Sequence, residues 1–189
     1  MTQNTPHSPQ KWFNLEEIFF SEVDHRLLEQ LRSKLEVAQT AEQIMQVTGI
    51  TDQKLAEAMA QLNISVETLA AFRLAPLVVV AWADDRIDNN ERFIITRAAE
   101  KAGLKPEDSA MELLNAWTQK RPPDALFETW CAYAKALKES LTEVHRKQLR
   151  KEILQQVHDV AEAAGGILGF GSISPSEKKV IEQIEEVLA

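Results

Sequence analysis

The sequence predicts an all-α fold, a compact helical bundle of roughly nine helices, and three observations carry that prediction. The chain has 189 residues with 44% hydrophobic residues and only six glycines, and its long runs are built from Ala, Leu, Glu, Lys and Gln, the residues that favour helix over strand. Apolar residues recur at spacings of three and four rather than two. Capping residues and helix stops punctuate the chain at short intervals.

In order, Asn14 with Glu17 has the form of a capping box, and Leu15, Ile18, Phe19, Val23, Leu27, Leu28, Leu31 and Leu35 carry helical spacing to about Glu36. Thr40 is placed to cap a short helix ending at Gly49, and Thr51 another reaching Asn63. Pro76 is tolerated only near a helix start, so a break is expected near Arg73, followed by a buried helix from Pro76 to Ala83. Asp88 caps the next helix, which Gly103 stops. Pro106 opens a helix carrying Met111, Leu114 and Trp117, and Pro122-Pro123 separates it from another at Asp124 to about Glu139. A long helix starts at Thr142 and is interrupted by the glycine-rich run Gly165–Gly171. Ser174, Pro175 and Glu177 then open a last helix to Leu188.

A chain of this length buries roughly 70% of its unfolded surface, which suits one compact domain. The 21 Lys and Arg stand against 29 Asp and Glu, a formal charge of −8, which repels phosphate backbones, so no nucleic acid partner is expected. The longest apolar run, Leu74 to Ala83, is about half the roughly 20 residues a membrane span needs, so no direct membrane insertion is expected. Residues 1–13 read as a flexible polar leader without a signal-peptide apolar core, and the sole cysteine, Cys131, suits a reducing compartment. Both point to a cytoplasmic location.

The chain aligns with itself at an offset of 86 residues, matching Ile87 with Ile173, Asp88 with Ser174, Glu91 with Glu177 and Ile95 with Ile181. This predicts two pseudo-symmetric helical hairpins, each with an inward Ile, a cap and a Glu three residues past the cap. In the first copy Asp84, Asp85, Asp88 and Glu91 gather at a helix N-terminus and offer oxygens to a hard divalent cation, calcium or magnesium. The competing arrangement is simpler: Asp88 and Glu91 form a capping box, and Asp84 and Asp85 are solvated turn residues. The second copy keeps the cap as Ser174 but lacks the aspartates, leaving Glu177 as the only acid it could add to the site. Neither register fits an EF-hand, since Arg86 or Arg92 falls on a ligand position.

The segment Val78-Val-Val-Ala-Trp-Ala-Asp-Asp-Arg-Ile-Asp-Asn-Asn-Glu-Arg resembles the signature of the tellurite-resistance TerB-like family, and Ala164-Gly-Gly-Ile-Leu-Gly-Phe-Gly-Ser-Ile-Ser-Pro-Ser-Glu resembles the closing hairpin of such domains. The resemblance covers about Leu69 to Leu188. It implies a TerB-like helical domain over 69–189, with 14–68 as a helical extension packed on it as one unit. It further implies a non-enzymatic role in bacterial stress response, an acidic metal site and membrane-associated protein partners. The family's acidic positions fall on Asp85, Asp88 and Glu91, and on Glu177 alone in the second motif. Arg86 departs from the acid-glycine pair often found there, and the missing aspartates of the second motif depart from two-motif metal binding.

Other patterns carry less. Glu22-x-x-His25 has the spacing of a carboxylate-bundle iron ligand pair but no second copy, and His145 and His158 lack the i, i+4 relation of a helical zinc site. Gly165–Gly171 lacks the Lys-Ser/Thr ending of a phosphate loop. No Ser, Cys or Lys carries a nucleophile motif, so no enzyme is expected. Trp82, Trp117 and Trp130 are expected in the core, and Trp12-Phe13 as an anchor or docking patch. Two functions follow: a TerB-like module with a divalent cation at the acidic corner, or a metal-independent helical adaptor using a groove in the bundle.

Overall fold

The computed structural model describes residues 9–164 and 173–189, and of residues 9–25, 28 and 164 it describes the backbone only. The glycine-rich run and the side chains of Trp12, Phe13, Glu22 and His25 therefore lie outside the described residues. All described regular structure is helical: α1 Pro9–Thr48, α2 Gln53–Gln61, α3 Leu69–Arg73, α4 Ala75–Ala81, α5 Asn89–Lys101, α6 Ser109–Gln119, α7 Ala125–Ser140, α8 Glu143–Ala164 and α9 Pro175–Leu188. Two compact units divide the chain, Met1–Gln39 and Thr40–Ala189.

The first unit contains most of α1. The expected separate helices, with a break between Glu36 and Thr40, are replaced by one continuous helix that also runs through Asn14. Val37-Ala-Gln-Thr40 holds no Gly or Pro, and a capping residue without a breaker before it simply stays helical. Leu27, Leu31 and Leu35, four residues apart, are exposed.

In the second unit α1 ends where Gly49 takes a positive φ of 75° and its N–H bonds the Met45 carbonyl at 2.9 Å. A residue with a Cβ would be strained there. Asp52, not Thr51, caps α2, its carboxylate accepting from the N–H groups of Lys54 and Leu55. Gly103, φ 90°, ends α5 as its sequence position predicts.

The expected break near Arg73 is real: α3 stops at Arg73 and α4 starts at Ala75 with Pro76 in its first turn. Nearly every residue of α4 is buried. The apolar run is thus the central helix of the unit, packed by α7, α8 and α9 and flanked by α3, α5 and α6. Around it lie Phe72, Ile95, Leu114, Leu126, Trp130, Val157, Val160 and Ile184. Trp117 and Trp130 are buried, while Trp82 is partly buried against the same core. Helix α9 is tied across the bundle by Lys138 Nζ donating to the Val187 carbonyl at 3.1 Å and by Arg150 to Glu185 at 2.6 Å. No described helix is long and apolar enough to cross a membrane.

Candidate functional site: an acidic corner and an interhelical groove

The acidic corner follows α4. Trp82 caps that helix, and the chain turns through Asp84 and Asp85, the latter at φ 68°, a conformation Asp tolerates better than most residues. Asp84 accepts from the Arg86 backbone N–H and pairs with its guanidinium at 3.5 Å. Asp85 is ion-paired with Arg121, from the connection between α6 and α7. That partner is 36 residues away, and no local sequence signal marks it.

Asp88 and Glu91 form the capping box of α5. The Asp88 carboxylate accepts from the N–H groups of Asn90 and Glu91 at 2.7 and 2.9 Å, and the Asp88 N–H donates to Glu91 Oε2 at 2.8 Å. Ser174 and Glu177 do the same for α9, at 3.2 and 2.6 Å. Both glutamates are buried, 3% and 4% exposed, so the repeated feature is a cap turned inward. Ile87 is buried, and Ile173 packs partly buried against the same core.

Burial pushes the Glu91 carboxyl up to about 7, against the lowering by the Asp88 N–H, and Asp88, Glu177 and Asp84 add like-charge repulsion. The five acids singled out by sequence thus share one electrostatic neighbourhood only in part: Asp84, Asp88 and Glu177 act on Glu91, whereas Asp85 faces Arg121. Every one of them already has a hydrogen-bond or ionic partner within the chain. Among the described residues no group of three or more His, Cys, Asp or Glu is placed to hold a metal ion. Arg92 Nε, buried beside the corner, has no hydrogen-bond partner there.

Burial raises the Cys131 thiol, with Lys135 opposing, which leaves it a poor nucleophile. His145 lies on the first turn of α8, among the residues of a groove that the sequence does not reveal.

That groove separates α7 from α8. These helices follow one another directly, yet α8 packs on α4, α5 and α9 while α7 packs on α9, α4 and α2. The gap between them holds two adjoining cavities of about 350 and 440 Å³. Trp130, Tyr133, Leu137 and Leu141 form one wall, His145, Leu149, Glu152 and Ile153 the other, and Arg73 of α3 reaches both cavities. Tyr133 stacks edge-on to Phe72 with ring centroids 5.4 Å apart. Its hydroxyl is raised by burial, with Arg73 opposing. Lys101 adds a second cation to the rim of the smaller cavity.

Comparison with family models, with curated proteins and with solved structures returns no match for this chain.

Proposed function

We propose that the chain is a non-enzymatic helical adaptor that binds a protein partner in the groove between α7 and α8 and needs no metal ion to do so. The observation that carries this reading is the open groove, of mixed apolar and polar lining, between two consecutive helices that pack elsewhere. Grooves between bundle helices are common docking sites. The acids, by contrast, are engaged in caps and ion pairs. The TerB-like stress-response role, with membrane-associated partners and a cytoplasmic setting, accords with such an adaptor and rests on the resemblance of residues 78–92 and 164–177.

Affinity capture from a native extract tests this, comparing the natural chain with Leu149→Gln and Asp85→Asn. Leu149 is half-buried in the groove wall. A partner kept in chelator and with Asp85→Asn, but lost with Leu149→Gln, supports the adaptor. A partner indifferent to Leu149→Gln, or released by chelator, overturns it.

A second reading, a calcium or magnesium ion at the corner, rests on the resemblance of residues 78–92 and on the closeness of Asp84, Asp85, Asp88 and Glu91 in the sequence. Calorimetric titration with calcium, magnesium, zinc and manganese tests it. Heat that Asp88→Ser abolishes supports a cation site, and no heat with any of the four removes it.

A further inference from the structure

We infer that the groove takes an acidic amphipathic helix of about three turns, its apolar face on Leu137, Leu149 and Ile153 and its carboxylates toward Arg73 and Lys101. This rests on the adaptor reading and names the chemistry of the partner.

Length is the first argument. The α8 wall runs from His145 to Gln156 and the α7 wall from Trp130 to Leu141. Each covers eleven residue steps, about 16 Å of helix, which an eleven-residue helix matches. Along both walls the lining residues recur at three and four, as at Gln148, Leu149, Glu152, Ile153 and Gln156. Such a surface presents the ridges and grooves that a third helix packs into.

Charge is the second. On a chain of formal charge −8, the α3 and α5 side of the groove carries Arg73 and Lys101. Both side chains are exposed and, like most cations among the described residues, neither enters an ion pair. The groove's one acid is Glu152 of α8, already accepting from Gln148 Nε2 at 2.9 Å. An occupant with acids on one flank is thus oriented with its carboxylates toward Arg73 and Lys101 and away from Glu152.

The third is Tyr133. Its buried ring, on the α7 wall, lines both cavities, and its hydroxyl makes no hydrogen bond to any described residue. A groove of mixed apolar and polar lining with two flanking cations is complementary to a helix that offers both carboxylates and an apolar stripe.

The test uses the full chain and three synthetic helical peptides of about fourteen residues with the same leucine stripe. Their polar positions carry Glu, Gln or Lys. In calorimetry at low salt the acidic peptide is expected to bind roughly tenfold more tightly than the neutral one, and the basic peptide most weakly, with differences shrinking as salt rises. Combining Arg73→Gln with Lys101→Gln, both exposed, should erase the acidic advantage and leave the neutral peptide unchanged. Leu149→Gln should weaken all three. Equal affinity for acidic and neutral peptides overturns the charge assignment while leaving the groove as a docking site. Absence of binding by every peptide overturns the groove reading as well, and binding of decanoate in their place overturns the helix in favour of a small amphipathic acid.

Discussion

Glu91 and Glu177, the third residues of α5 and α9, are both buried in capping boxes, and the charge of Glu177 helps to raise the Glu91 carboxyl. Two glutamates that serve local helix starts are thereby coupled across the fold. Capping requires only an acceptor oxygen from Glu91, which a protonated carboxyl still supplies.

A pH dependence follows. The Glu91 pKa is raised from 4.5 to about 7 on folding, so the folded state binds the proton more tightly than the unfolded one. Its stabilising contribution is complete below about pH 4.5, falls as pH rises toward 7, and is lost above that. The change amounts to at most about 3 kcal/mol. Glu91→Gln should flatten this part of a urea-denaturation profile and make the protein more stable at pH 8, with little effect at pH 4. An unchanged profile in the variant would show that Glu91 is ionised in the fold.

Asp88 and Ser174 occupy equivalent cap positions, so Asp88→Ser should be nearly neutral for stability. Asp88→Ala leaves the N–H groups of Asn90 and Glu91 without their acceptor and should cost about 1 kcal/mol. Chemical denaturation of the three proteins at pH 8 checks this. Equal loss from Ser and Ala would mean that the charge of Asp88, rather than its cap, matters for folding.

The fold was largely legible because helix signals are local. Pro76, Gly103, Asp88 and the Ser174-Pro175-Glu177 triplet each act within a turn of themselves, and each lies where its local chemistry requires. Thr40 and Asn14 misled because a capping residue carries no information unless something breaks the preceding helix. The corner was legible as a set of acids but not as a set of partners, since Arg121 meets Asp85 only through tertiary structure. The groove was invisible for the same reason: Leu137 and Leu149 have core spacing, and only the packing of α7 and α8 on other helices leaves space between them.

Asp85 combines a positive φ with an exposed ion pair. Asp85→Asn keeps a residue suited to that backbone and loses only the pair, so its effect should stay within about 0.5 kcal/mol. Asp85→Ala adds backbone strain and should cost about 1 kcal/mol or more. Thermal denaturation distinguishes the two, and a large loss from Asp85→Asn would show that the ion pair itself holds the turn.

The Trp82 indole makes the stronger grip on the same neighbour. Its Nε1 donates to the Trp117 carbonyl at 2.8 Å. Trp117 lies in the last turn of α6, where helix carbonyls lack an intrahelical donor. The bond therefore ties the end of α4 to the end of α6 and satisfies a group that α6 cannot satisfy itself. Trp82→Phe keeps most of the ring but leaves that carbonyl partly buried without its donor, at about 1–2 kcal/mol. Arg121→Ala, which frees the exposed Asp85 beside it, should cost less than about 1 kcal/mol. Urea denaturation of both variants should rank them in that order. The reverse order would place the attachment of the acidic corner to α6 in its surface ion pair rather than in the indole bond.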